Sequence, residues 1–140
     1  MKQIACLVVV WLLTGITAAV SASELSSCTD GSLSEVRTLA GLPSKVNLLL
    51  GQTTTGLEGI ADRDEKFNVT DVIDERLPMR RFIIAGINPT CSLVALEHGG
   101  RGYSIELVVI ELSSKQWQVT QRRIIRTKPQ SVHELARYLK

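Results

Sequence analysis

The richest concentration of reactive side chains is Glu97-His98-Gly99-Gly100-Arg101-Gly102-Tyr103, which sets an acid, an imidazole, a guanidinium and a phenol in one short stretch. A carboxylate and a histidine beside an arginine could do acid–base work on a bound anion, the chemistry of a small hydrolase. The glycines, however, read as a turn between two strands, with the polar residues closing the strand ends. In a strand, Glu97 and His98 point to opposite faces, so these neighbours cannot act as one acid–base pair; residues across the turn could converge instead. A phosphate-cradling loop leads into a helix, whereas here another strand follows.

Three other groups of residues invite a chemical reading. The run Asp62-Arg63-Asp64-Glu65-Lys66, followed by Asn68 and Asp71, is rich in oxygen ligands, but Lys66 and Phe67 stand where a calcium loop of the EF-hand type needs an oxygen and a glycine. A solvated, charged loop with Asp62 and Asp64 available for contacts is the expectation. Arg80-Arg81 and Arg122-Arg123-Ile124-Ile125-Arg126 with Lys128 form two basic patches that could meet if the first and fourth strands approach, with Asp71, Asp74 and Glu75 available to pair with them. A Gly-x-Ser-x-Gly nucleophile motif is absent, His133 falls just inside a helix start, and Asn68-Val69-Thr70 is formally a glycosylation sequon.

The N-terminus supplies the compartment. Lys2, an apolar run from Ile4 to Val20, and small residues at Val20, Ser21, Ala22 and Ser23 follow the order of a secretory signal peptide, with cleavage expected after Ala22. Thr14, Gly15 and Thr17 interrupt the run before it reaches the roughly 20 residues of a spanning helix, and no later apolar stretch is long enough, so no stable membrane insertion is expected after cleavage. Residues 23–140 then form one domain, periplasmic or secreted. Cys6 leaves with the signal, so Cys28 and Cys91 remain and should pair in an oxidising compartment. Neither histidine is spaced from a cysteine as a zinc site requires, and no cofactor or metal is implied.

Periodicity gives the elements that must position these residues. Ser32 followed by Glu35 reads as a capping box opening a short helix over about residues 33–40, closed by Gly41 and Pro43. A second short helix is expected from Pro43 to Gly51. Residues 52–78 lack regularity, with apolar anchors at Leu57, Ile60, Phe67, Val69, Val72 and Ile73; a connection of that length is functional or holds structure that periodicity does not reveal.

Four β runs follow, Arg81–Ile87, Cys91–His98, Tyr103–Leu112 and Gln116–Arg126, separated by turn residues and therefore an antiparallel meander. In the last run Arg123 breaks the alternation that puts Trp117, Val119 and Ile125 together, which an edge strand or a bulge near Arg122-Arg123 would accommodate. Ser131 and Glu134 open a C-terminal amphipathic helix that needs an apolar surface. The expected fold is α+β: a four-stranded antiparallel meander, short N-terminal helices, and a C-terminal helix packed on the sheet.

The net charge of +2 falls by one unit with the loss of Lys2, which gives no electrostatic case for a nucleic-acid partner. Two function classes remain. The first is an exported, non-catalytic binding or interaction module whose partner is an envelope protein or polysaccharide, contacting through Asp62, Asp64, His98, Arg101, Tyr103, Arg122 and Arg123. The alternative is a small envelope-acting hydrolase using the Glu97, His98 and Arg101 turn, with Glu97 and His98 as its weak catalytic candidates.

Overall fold

A computed structural model describes residues 28–29, 32–52 and 55–140; the expected signal peptide and its cleavage site lie outside the described residues. The central sheet is built from β3 (Arg80–Ile87), β4 (Cys91–His98), β5 (Ser104–Ser113) and β6 (Gln116–Ile125), paired antiparallel in chain order. Those are the four strands that alternation predicts, within a residue or two. Two short strands, β1 (Ser34–Val36) and β2 (Ile60–Ala61), join the other side of β3, so among the described residues the sheet has six strands rather than four. β1 runs antiparallel against Gly86 and its neighbours, while β2 is parallel and pairs with Arg80 and Arg81.

β1 corrects the expectation of a helix over 33–40. Glu35 and Val36 pair with Gly86 and Ala85, and only a single 3-10 turn, Leu39–Gly41, follows. A helix of two turns is marginal on its own, whereas the open side of β3 supplies ready hydrogen-bond partners to a segment containing β-branched Val36. The Glu35 carboxylate is not part of a capping box at its own end of the chain. It accepts a hydrogen bond from the Val132 N–H at 3.0 Å and so caps the C-terminal helix, 97 residues away.

The second N-terminal helix forms as expected. It is α1 (Ser44–Leu50), ended by Gly51 in the left-handed conformation at φ 81°, where a side chain would be strained. The C-terminal helix is short: α2 (Val132–Ala136) carries on only as a 3-10 turn, Arg137–Leu139. Ser131 caps it by accepting from the Glu134 N–H, while the Glu134 carboxylate takes the N–H of Gln130 rather than that of the cap residue.

These helices cover opposite faces of the sheet. Leu135 of α2, with Ala136, Tyr138 and Leu139, packs on Ile84, Leu93, Ala95, Leu107 and Val109. Leu42, Val46 and Leu50 of the α1 segment pack with Ile60 on Phe82, Val94, Leu96, Val108 and Ile110. Burying each such aliphatic side chain contributes about 1.5–3 kcal/mol. A sheet covered on both sides explains why β5 is apolar in both parities along most of its length.

Two irregularities set the faces. On β3 the ladder shifts between Phe82 and Ile84, and on β6 the pairing passes from Val119, opposite Ile110, to Gln121, opposite Val109, leaving Thr120 as the extra residue. The bulge therefore sits slightly before Arg122-Arg123, on a strand that is also an edge. It sends Ile125 into the α2 face while Trp117 and Val119 serve the α1 face, so residues of one sequence parity part company. Between β5 and β6, Ser114 and Lys115 have φ of 50° and 67°, the left-handed pair that a two-residue hairpin requires.

The pairing of Cys28 with Cys91 ties the described N-terminal segment to the start of β4, with Cα atoms 5.3 Å apart and both residues buried.

Candidate functional site

The β4–β5 hairpin ends where the sheet meets the 52–78 segment, and the sequence-nominated residues divide there between its two faces. Cα pairing places Arg81 opposite Glu97, and Arg80 opposite His98, which itself faces Ser104 across the hairpin. Alternation then sends Glu97 toward the α2 side and His98 toward the α1 side, as the strand reading requires.

On the α2 side Glu97, only 3 % exposed, is the centre of a charge network. Its carboxylate accepts from Arg81 Nε at 2.7 Å, Lys128 Nζ at 3.1 Å and Tyr103 Oη at 2.9 Å. Burial pushes the Glu97 carboxyl up, and the three hydrogen bonds outweigh it, so its pKa lies below the usual glutamate value. Burial and the bond to Glu97 push the Tyr103 phenol above its usual value. The Arg81 guanidinium also stacks 4.3 Å over the Phe67 ring, which pins the loop to the sheet.

On the α1 side His98 Nε2 lies 3.0 Å from Glu106 Oε2, and Arg122 Nη1 lies 3.1 Å from the same oxygen. The bond with His98 holds the Glu106 carboxyl low; burial opposes it and Arg122 adds to it. Arg80 donates to the carbonyls of Leu50 at 2.9 Å and Glu58 at 2.6 Å, joining the end of α1 to the sheet. Burial, and then the nearby Arg122, push its guanidinium below the usual value. The two basic patches thus meet through shared carboxylates, Glu97 under Arg81 and Lys128, Glu106 beside Arg122, rather than through Asp71, Asp74 or Glu75. β3 and β6 themselves are separated by β4 and β5.

The remaining nominated residues are dispersed. Asp62 accepts the Leu39 N–H at 3.1 Å through each carboxylate oxygen and so caps the 3-10 turn. Asp64 and Arg101 are exposed, and Arg123 donates to the Tyr138 carbonyl. Glu97, His98 and Arg101 share no hydrogen bond among the described residues. An apolar groove of 380 Å³ between Leu33 and Val132, Ala136 and Leu139 is lined by none of the nominated catalytic or binding residues.

The feature that residue types alone did not reveal is the architecture of the 52–78 segment. It contains a 3-10 turn at Gly56–Glu58, then β2, then a loop wound around Asn68. Asn68 is buried; its Nδ2 donates to the carbonyls of Asp74 at 2.9 Å and Leu77 at 2.8 Å, and its Oδ1 accepts from the Asp74 N–H at 2.8 Å. Asp74 chelates Arg76 with bonds of 2.9 and 2.7 Å, which holds the Asp74 carboxyl at about 2.

The loop is clamped to the hairpin turn at Gly99, where any Cβ would lie 1.6 Å from the Asn68 carbonyl oxygen. Gly99 therefore serves the close approach of two backbones as well as the turn. With Asn68 consumed in this way, the sequon cannot carry a glycan in the folded domain, since both amide hydrogens point into the loop. Val69, Val72 and Ile73, expected as buried anchors, are exposed instead, Val72 by 81 %. Phe67 and Ile60 are the anchors that reach the interior.

Asn68→Ala should cost about 2–3 kcal/mol, because it removes three hydrogen bonds and takes the side-chain partner from the Asp74 N–H and the Leu77 carbonyl, while the Asp74 carbonyl keeps the Leu77 N–H. Urea unfolding measures the loss, and faster proteolysis within residues 69–77 should accompany it. An unchanged midpoint would show that the loop does not depend on this side chain.

No family model, curated protein or solved structure matches this chain.

Proposed function

We propose that this protein is an exported, non-catalytic binding module, periplasmic or secreted, whose contact surface is the Asn68-centred loop together with Arg101 and Tyr103 of the hairpin turn. The observation that carries the reading is an exposed aliphatic cluster, Val69, Val72 and Ile73, held on a loop fixed at its base by Asn68 and against the sheet at Gly99. Exposed aliphatics on a preorganised loop cost little further ordering on association. Tyr103, half exposed, and Arg101 continue the surface with residue types that dominate protein interfaces. Aliphatic tips favour an apolar cleft on an envelope protein; a polysaccharide would call for several exposed aromatic faces, whereas Phe67 of the loop is buried and Tyr103 stands alone.

The test is quantitative capture from envelope extract by immobilised domain. Val72→Asp, at the most exposed of the three aliphatics, should leave thermal stability nearly unchanged and reduce recovery of a reproducible partner about tenfold or more. Equal recovery by wild type and variant would remove the loop from the interface. N-terminal sequencing of material outside the cytoplasm, expected to begin at Ser23, tests export separately.

One observation favours the hydrolase alternative, namely that Glu106 orients His98 as a carboxylate orients a catalytic imidazole. It predicts an activity abolished by His98→Ala in a variant that still folds.

A further inference from the structure

β6 ends the sheet. On the far side, the outer edge of β3 is occupied by β1 near one end and β2 near the other, whereas among the described residues β6 pairs with β5 alone. β6 is 10 residues long, and among the described residues none of its main-chain N–H or C=O groups bonds to protein outside the β5 ladder. Alternate residues of such a strand direct both groups outward, a template for another strand.

The side chains on this edge have one sign. From Gln116 to His133 the sequence contains no aspartate or glutamate, while Arg122, Arg123, Arg126 and Lys128 crowd its second half. The carboxylates beside that half are already shared: Glu106 serves His98 and Arg122, and Glu97 serves Arg81 and Lys128, while Glu111, beside the first half, accepts from Thr120 Oγ1 at 2.9 Å. Arg126 is exposed, and Arg123, although it donates to the Tyr138 carbonyl, keeps further donors. Between these cations Ile124 is 65 % exposed on the face that carries Trp117 and Val119.

We propose that the outer edge of β6 docks an extended, acidic segment of another protein as an additional strand, with carboxylates beside Arg122, Arg123 and Arg126 and an apolar side chain covering Ile124. Main-chain hydrogen bonds would supply the template, and the charges would select the occupant. The same charges act against a second copy of this chain: the antiparallel register that brings Ile124 against its counterpart sets Arg122 of one copy opposite Arg126 of the other. The bulge at Thr120 further discourages pairing along the whole strand and confines docking to the cationic half. This surface is distinct from the Asn68 loop, so the two readings stand or fall separately.

The probe is a soluble peptide containing Glu-Thr-Val-Glu-Glu, in which an antiparallel register sets glutamates opposite Arg126, Arg123 and Arg122 and valine opposite Ile124, titrated against the disulfide-bonded domain. Binding should be saturable, slow hydrogen exchange at alternate amides of β6 beyond the Thr120 bulge, and weaken as salt is raised. Arg126→Glu alone, and Arg123→Glu with Arg126→Glu, should weaken it about tenfold or more while thermal unfolding stays cooperative. Equal binding of a peptide with lysine in place of glutamate would overturn the proposal, as would binding that leaves the β6 amides unprotected. Sedimentation showing that the free domain dimerises with those amides protected would assign the edge to a second copy instead. Should the double variant fail to fold, the lysine peptide and the salt series decide alone.

Discussion

Glu97→Leu is expected to destabilise the domain by about 3 kcal/mol, the lower end of the effect of removing one member of a buried ion pair. Glu97 is nearly inaccessible to water, while Arg81 and Lys128 have side chains 24 % and 39 % exposed and so keep partial hydration when it is lost. The cost falls on Arg81 most heavily, because its guanidinium is also stacked on Phe67 and donates to the Glu65 carbonyl, which hold it in place over the site. Combining Glu97→Leu with Arg81→Leu should cost less than the two single changes added, since the double variant leaves only the more exposed Lys128 without its partner. Strict additivity in urea unfolding would mean that the two residues are not energetically coupled.

This network and the Glu106 pair on the opposite face both contribute to the response to acid. The folded-state pKa values of Glu97 and Glu106 lie below the ordinary 4.5, so each binds its proton less readily folded than unfolded. Their contribution is complete above that ordinary value and is lost as pH falls below it, toward the depressed folded value. Wild-type stability should therefore decline below pH 4.5 more steeply than that of Glu97→Leu, and the two curves should converge in acid. Parallel acid limbs would place the sensitivity in other carboxylates.

What could be read from residues alone has a clear physical boundary. The four long strands and α1 were legible because each contains its own signal: alternation, turn residues, or a glycine stop after an apolar run. β1 was not, because Ser32 and Glu35 carry the local signature of a helix start and the deciding partner, Gly86 on β3, lies 51 positions away from Glu35 in the register. Glu97 and His98 were correctly assigned to opposite faces by period alone. Their partners were not named, since Lys128, Arg81, Glu106 and Arg122 come together only once register and bulges are known. The loop around Asn68 was hidden more deeply. Its order rests on one side chain bonding backbone groups six and nine residues ahead, a pattern with no periodicity. Its exposed valines look like core residues when only type is considered.

Reduction of the Cys28–Cys91 bond is expected to have the largest effect on stability. The linked residues are 63 apart in sequence, and in the chain-entropy account closing a loop of that length in the unfolded state is worth about 4 kcal/mol. That is a large share of the 5–15 kcal/mol typical of a whole domain, so about half or more of the stability of a marginal fold could reside there. The position reinforces the number. Cys91 opens β4, the strand at the middle of the sheet, and both cysteines are buried beside Leu33 and Leu135, so the bond also anchors the α2 face of the core. Replacing both cysteines by alanine should lower the urea midpoint by an amount matching that produced by reductant on the wild type, and reductant should then leave the alanine variant unchanged. If the wild type in reductant kept its midpoint, the domain would be stable in a reducing compartment, and the disulfide would lend the proposed export no energetic support.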